Sequence, residues 1–272
     1  MADNRKSGAF WIKTYNGANG RTNLDNTGYN ATGFCSTLGV PNTFNKGDSQ
    51  ALARGIEDST NNTAATILGQ DNQDAERADI VYFGGHADSS NLYFTPSAAV
   101  SDDRVARRIE IKLGHASKLK WLILDCCRVL NRCEDPYTYC EGHPDTSKYT
   151  DKMYRAWQSI FYGLRYLLGF DTACHDYRDR GSRFATYLKQ GEYVREAWRL
   201  ACLETEHDVN VRCAYLHPGK VSDAIHFDKW TNQELGPETV IAQQIKNGQL
   251  YTDLEFTYLS MPCGTQPQNC PA

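Results

Sequence analysis

Residues 119–130 read LKWLILDCCRVL: an apolar run interrupted only by Lys120, then an acid, two adjacent cysteines and an arginine. Residues 119–124 lack apolar–polar alternation, which suits a strand buried on both faces inside a parallel sheet. Upstream, residues 78–84 (ADIVYFG) form a second short run of this type and stop at Gly84-Gly85. Residues 10–15 alternate, with Phe10, Ile12 and Thr14 against Trp11, Lys13 and Tyr15, and read as a first strand. Further strands are expected at about 209–216 and 224–227, and residues 250–259 alternate as an antiparallel or edge strand would.

Between the strands the pattern changes to helical. Residues 151–168 carry Trp157, Ile160, Phe161, Leu164, Leu167 and Leu168 as one stripe, with Gly169 as the stop. Residues 192–205 place Val194, Ala197, Trp198, Ala201 and Cys202 on one face, and residues 49–58 suit a helix capped by Asp48 or Ser49. Residues 102–118 fit either state, because Asp102 or Asp103 can cap a helix while Ile109, Ile111 and Leu113 alternate. Residues 16–48 are rich in Asn, Gly and Thr and read as a long irregular surface segment. Buried strands alternating with helices predict one α/β domain over residues 1–272, with a mainly parallel central sheet flanked by helices and a tail at 260–272.

Bulk properties exclude several classes. The 272 residues carry a formal net charge of −4, with 40% hydrophobic and 23% charged residues. That composition gives no electrostatic reason to expect nucleic acid as a partner. No apolar run reaches the roughly 20 residues a bilayer span requires, so no membrane insertion is expected. The first residues, MADNRKSGAF, have no apolar stretch of signal-peptide length, which implies a cytoplasmic protein or a secreted one whose signal is absent. Ten cysteines are many for a reduced compartment but too sparse for a disulfide scaffold. Cys263 and Cys270 flank GTQPQN and suit a surface disulfide loop. Cys133, Cys140 and His143 have zinc-ligand chemistry without a common finger spacing, and free thiols or a Cys133–Cys140 disulfide fit them better. The expectation is therefore no metal and no cofactor.

In open α/β sheets, sites form outside the carboxyl ends of the strands. Two strands end in reactive residues. IVYF runs into Gly84-Gly85-His86, and WLIL runs into Asp125-Cys126-Cys127-Arg128. A thiolate is a nucleophile, and an imidazole can activate it or protonate a leaving group. Glycines before the histidine allow close backbone approach to a substrate. Backbone N–H groups beside the nucleophile can hold a developing oxyanion, worth about 3–4 kcal/mol. Alternation places Trp121, Ile123, Asp125 and Cys127 on one side and Leu122, Leu124 and Cys126 on the other. Cys126 then packs under a covering helix layer, while Cys127 faces the crevice.

These two blocks resemble the caspase–gingipain–legumain–clostripain type of cysteine peptidase, in which an apolar strand leads to His-Gly and a later one to the catalytic Cys. Aligned on Cys127-Arg128, Asp125 and Cys126 fall where caspases have Gln and Ala. WQSIFYGLRYLLGFDTACHD also resembles an uncharacterised, mostly bacterial group of caspase-like proteins, so the likeness covers about residues 78–215. Ala87 and Val129 depart from glycines of the caspase pattern, and no Asp-rich activation linker is evident. The resemblance implies a three-layer caspase–hemoglobinase-like fold, with Cys127 as nucleophile, His86 as acid–base, and the backbone of Ala87 and Gly85 and the Cys127 N–H at the oxyanion. Asp125, Arg128, His175 and Asp176 would line the site. The substrate would be a peptide, a protein or an amide-containing small molecule. Asp176, Asp179 or Glu192 could select a basic residue, and Arg128, Arg178 or Arg180 an acidic one. A ligase, cyclase or tailoring enzyme on the same thiol, or a catalytically silent binding protein, remain open.

Overall fold

In the computed structural model the described residues are 4–58, 69–96, 98, 104–114, 118–131, 157, 160–218, 228–231 and 256–263. Seven strands form one sheet: β1 (Ser7–Trp11), β2 (Asn42–Gly47), β3 (Ile80–Gly84), β7 (Trp121–Asp125), β8 (Tyr166–Phe170), β9 (Arg212–Pro218) and β10 (Phe256–Pro262). Their order across the sheet is β10-β9-β8-β7-β3-β1-β2. Neighbours from β2 to β8 are parallel, and β9 runs antiparallel to both β8 and β10. A second, three-stranded sheet consists of β4 (His86–Ala87), β5 (Asn91–Tyr93) and β6 (Val105–Arg107).

The two apolar runs that define β3 and β7 lie side by side, paired from Ile80–Trp121 to Gly84–Asp125. All ten of their residues are buried, as a central parallel strand demands. The alternation reading of β7 holds. Trp121 and Ile123 join the cluster on one face of the sheet, and Leu122, Leu124 and Cys126 the cluster on the other. Three helices, α1 (Thr27–Leu38), α2 (Arg180–Lys189) and α3 (Val194–Thr205), cover the Trp121 face. The layer over Cys126 differs in part from expectation. Among the described residues it includes the small sheet and short turns, through Leu92, Phe94, Ala106 and Ile111, together with the helical residue Trp157.

Three expectations from periodicity fail, each for a physical reason. Residues 16–48 are not irregular throughout, since they contain α1 and β2. Ala31, Phe34, Cys35 and Leu38 keep strict i, i+3, i+4, i+7 spacing and are buried, but Gly28, Gly33 and Asn30 hide that stripe from propensity. Of the helix expected at 151–168, Trp157 is helical, residues 160–165 are not, and Tyr166–Leu168 belong to β8. Leu167 and Leu168 are both buried on opposite faces of the sheet, and a doubly buried strand satisfies helical spacing by accident. Residues 151–156 and 158–159 lie outside the described set. Residues 49–58 form two short 3-10 turns, at Asp48–Gln50 and Ala53–Gly55, not a helix. The strand expected at 224–227 also lies outside the described residues, and the 260–272 tail loses residues 260–262 to β10.

Helices α1 and α2 cross at very close range through Gly181. A Cβ at that position would stand 2.0 Å from the Asn30 carbonyl oxygen and 2.7 Å from its carbon. Backbone cannot yield as a side-chain tip does, so Gly181→Ala is expected to destabilise the fold by about 1–3 kcal/mol. Urea unfolding should show a lower midpoint at unchanged slope.

Candidate active site

The carboxyl ends of three adjacent parallel strands, β3, β7 and β8, bring His86, Cys127 and Cys174 to one edge of the sheet. Gly84 and Asp125 are register partners, so His86 and Cys127 each lie two residues beyond the same pair. Their strands are neighbours, about 4.8 Å apart in the hydrogen-bonding direction. Among the described residues, however, no hydrogen bond joins His86 to Cys127. Each is held by its own partners.

His86 is fixed from three sides. Its backbone N–H donates to the Tyr15 hydroxyl at 2.9 Å, and that hydroxyl donates to the Tyr93 carbonyl at 2.9 Å. The Tyr15 and His86 rings lie 4.6 Å apart. The ring Nε2 lies 2.9 Å from the Thr22 carbonyl oxygen. A carbonyl can only accept, so Nε2 carries the proton and Nδ1 keeps its lone pair. Burial lowers the imidazole pKa and the nearby Arg21 charge lowers it further, against the opposing pull of the Thr22 carbonyl. A neutral, oriented base results. The glycine before it serves Tyr15: a Cβ on Gly85 would sit 2.9 Å from the Tyr15 hydroxyl oxygen. Gly85 also donates its N–H to the Asp125 carbonyl at 3.4 Å. Ala87 is paired with Leu92 in the small sheet.

Cys127 has a different set of neighbours. Its thiol donates to the Cys174 carbonyl at 3.2 Å, accepts the Cys174 N–H at 3.3 Å, and lies 3.5 Å from the Cys174 sulfur. The Cys174 thiol, then burial opposing it, then the Cys174 N–H, bring the Cys127 pKa down to about 7, with Arg128 adding a smaller favourable charge. Cys174 itself is driven well above the ordinary thiol range by its hydrogen bond to Cys127 and by burial. Cys126, one residue away, is also pushed up by burial, as its place in the apolar row requires. Arg128 has φ 57°, a left-handed turn in a non-glycine residue of the kind that collects at functional sites. Its N–H donates to the Thr172 carbonyl at 2.9 Å, which anchors the turn to the end of β8. Among the described residues nothing accepts the Cys127 N–H.

Asp125 belongs to a buried network centred on Arg180, to which the exposed His175 is tied from the outside. Asp125 accepts from Arg180 at 2.5 Å, from the Tyr82 hydroxyl at 2.5 Å and from Asn30 at 3.4 Å. Arg180, almost wholly buried, also reaches the Thr205 hydroxyl at 3.1 Å and the His175 carbonyl at 3.0 Å, with Glu206 at 3.6 Å. Glu206 takes the His175 ring Nδ1 at 2.9 Å and its N–H at 3.1 Å. Asp176 accepts the Asn26 N–H at 2.8 Å, at the start of α1. Asp125 and Arg180 are thus internal, and His175 and Asp176 are tied to structure. Arg178 lies over the Tyr29 ring, 4.5 Å from its centroid.

Thr22, Tyr15 and Cys174 were not anticipated as site residues. Thr22 acts through its carbonyl, which leaves no trace in residue type. Cys174 sits in TACHD, where the neighbouring histidine drew attention. Cys263 also departs from expectation: it is a buried free thiol beside Cys202 and Cys213 rather than half of a surface loop disulfide. Cys133, Cys140 and His143 lie outside the described residues.

Residues 9–247 match the model of a family described as a domain of unknown function (DUF6345). That span is most of the chain, and the chain belongs to this family. No curated protein matches it.

Two predictions follow from this geometry. Alkylation of Cys127 by iodoacetamide, mapped by peptide mass, should rise through a midpoint near pH 7. Cys174→Ala removes the largest acidifying partner, so the midpoint should move up toward the ordinary thiol range. Arg180→Met leaves Asp125 and Glu206 buried without their counter-charge, which should cost about 3–5 kcal/mol in denaturant unfolding.

Proposed function

We propose that the protein is a cysteine-dependent hydrolase of amide bonds, with Cys127 as nucleophile and His86 as acid–base, on a caspase-type α/β sheet. The observation that carries this reading is the pairing across β3 and β7: an acidified thiol and an oriented, neutral imidazole, equally placed beyond one register pair. The sheet with its helical layer and the His and Cys blocks at adjacent strand ends support the caspase-type assignment.

Chemistry on this arrangement balances without a cofactor. The Cys127 sulfur attacks the carbonyl carbon, and the carbonyl π pair moves to oxygen, which the open Cys127 N–H can receive. His86 Nδ1 takes the thiol proton and passes it to the amine as the C–N bond breaks. A thioester to Cys127 remains. Water, deprotonated by His86, attacks the thioester, and the sulfur leaves as thiolate. A second amine in place of water gives ligation. The substrate is a peptide, a protein or an amide-bearing small molecule.

The 3.5 Å sulfur–sulfur approach of Cys127 and Cys174 favours one other reading, thiol–disulfide exchange. Cys127 as thiolate would attack a substrate disulfide and expel one substrate thiol. The Cys174 sulfur would then attack the Cys127 sulfur of the mixed disulfide, and the substrate sulfur would leave as the second thiol, so that a Cys127–Cys174 bond remains. One variant series separates the two. Peptide-library cleavage read by mass spectrometry under reducing conditions should vanish in Cys127→Ala and fall about 10²–10⁴-fold in His86→Ala. Cys174→Ala should retain cleavage with its pH profile displaced upward. Disulfide reduction that needs Cys127 and Cys174 but ignores His86→Ala would establish exchange instead. Wild-type protein that neither cleaves nor ligates any amide, and whose Cys127 labels no faster than an ordinary thiol, would point to a binding protein.

A further inference from the structure

Away from this site, three cysteines meet in the core beneath the helix layer. Cys202 comes from α3, Cys213 from β9, and Cys263 follows the last residue of β10. Their sulfur atoms all lie within 4.8 Å of one another. All three are fully buried free thiols. The Cys263 N–H donates to the Val211 carbonyl at 2.8 Å, which holds that residue against the start of β9. The Cys213 N–H in turn points at the Cys263 sulfur at 2.8 Å. A backbone N–H aimed at a sulfur is the outer-shell contact that orients and stabilises a ligating thiolate.

We propose that Cys202, Cys213 and Cys263 bind a zinc ion that ties α3 to β9 and β10. Three sulfur donors exclude hard ions such as magnesium and calcium and suit a borderline-soft one. Zinc–sulfur bonds of about 2.3 Å place tetrahedral thiolates about 3.8 Å apart, within reach of this cluster by small side-chain movements. Coordination turns the thiols into thiolates, releases the protons they hold and leaves a net −1 at the three-sulfur centre. The charges of Arg199 and Arg180 act on these sulfurs and offset it. Arg199 is itself fixed by Glu196, at 2.5 to 3.0 Å. Packing alone explains one buried cysteine; it does not explain three, from three separate elements, with their sulfurs turned together. Such an ion would secure the edge strand β10. It would also hold the end of α3, where Thr205 and Glu206 meet Arg180.

The test uses the full chain, stripped with a chelator under reducing conditions and reloaded with zinc. After gel filtration, metal analysis should find zinc on the wild type. Peptide-mapped iodoacetamide labelling in mild denaturant should show Cys202, Cys213 and Cys263 protected together by zinc. Cobalt loading should give sulfur-to-cobalt charge-transfer absorption. Cys213→Ala and Cys263→Ala should each abolish both zinc retention and protection at the remaining two thiols. A Cys127→Ala variant and a Cys133→Ala/Cys140→Ala double variant should keep both. Failure of wild type to retain zinc overturns the proposal, as does protection of Cys133 and Cys140 in place of the trio. A disulfide joining two of the three in freshly isolated, non-reduced protein also overturns it. Should the alanine variants not fold, the wild-type protection map decides alone.

Discussion

One buried guanidinium holds the site together. Arg180 opens α2, yet its side chain bonds the end of β7 through Asp125, the end of α3 through Thr205, and the Cys174 loop through the His175 carbonyl. Removing that many charges from water is expensive, and mutual attraction offsets the cost only when every donor and acceptor is matched. Here Asp125 also takes the Tyr82 hydroxyl, and Glu206 takes both the ring and the backbone N–H of His175. The network therefore specifies one arrangement of the Cys174 loop more than it adds stability. Because Cys174 follows directly from that loop, the acidity of Cys127 depends on a residue that never touches it.

The two halves of the site are prepared independently. In many thiol enzymes an imidazolium lowers the thiol pKa. In this chain the acidifying donors are the S–H and N–H of Cys174, and His86 is kept neutral by burial and by Arg21. A thiolate with a neutral base nearby needs no ion pair at rest. On the proposed reading the imidazole takes a proton from the thiol form of Cys127 or from water, and a substrate seated between them would complete the connection. Loose catalytic geometry before substrate binds is ordinary. The left-handed turn at Arg128 belongs to the same design, since it brings the chain sharply away from β7 after Cys127 has left the apolar row.

Much of the sheet was legible because its central strands are short, doubly apolar and stop at glycine or acid. Cys127 could be separated from Cys126 by the two-residue period alone. The errors share one cause: periodicity reports burial, and burial on two faces resembles a helical stripe over short lengths. That is how YLLGF, now β8, was absorbed into an expected helix. The reverse error hid α1, whose apolar stripe is intact but set among glycines and asparagines that lower helix propensity. Contacts made by backbone atoms could not be seen at all. Thr22 orients His86 with a carbonyl, and Cys174 donates a main-chain N–H, so neither role depends on a residue pattern that spacing can expose.

The paired cysteines of residues 126 and 127 show how little separates structural from chemical roles. Both are thiols on consecutive residues, beside the same carboxylate of Asp125, which acts to raise the pKa of each. Cys126 turns into the apolar row of Leu122 and Leu124, where no donor compensates for burial, and it stays protonated. Cys127 turns the other way and meets one S–H and one N–H. Those two donors reverse the sign of the shift despite substantial burial. Reactivity at this strand end therefore comes from the parity of the strand, which decides the facing side, and from the loop after β8, which supplies the donors. Changing either while keeping both cysteines would turn Cys127 from an acidified thiol into a second core residue.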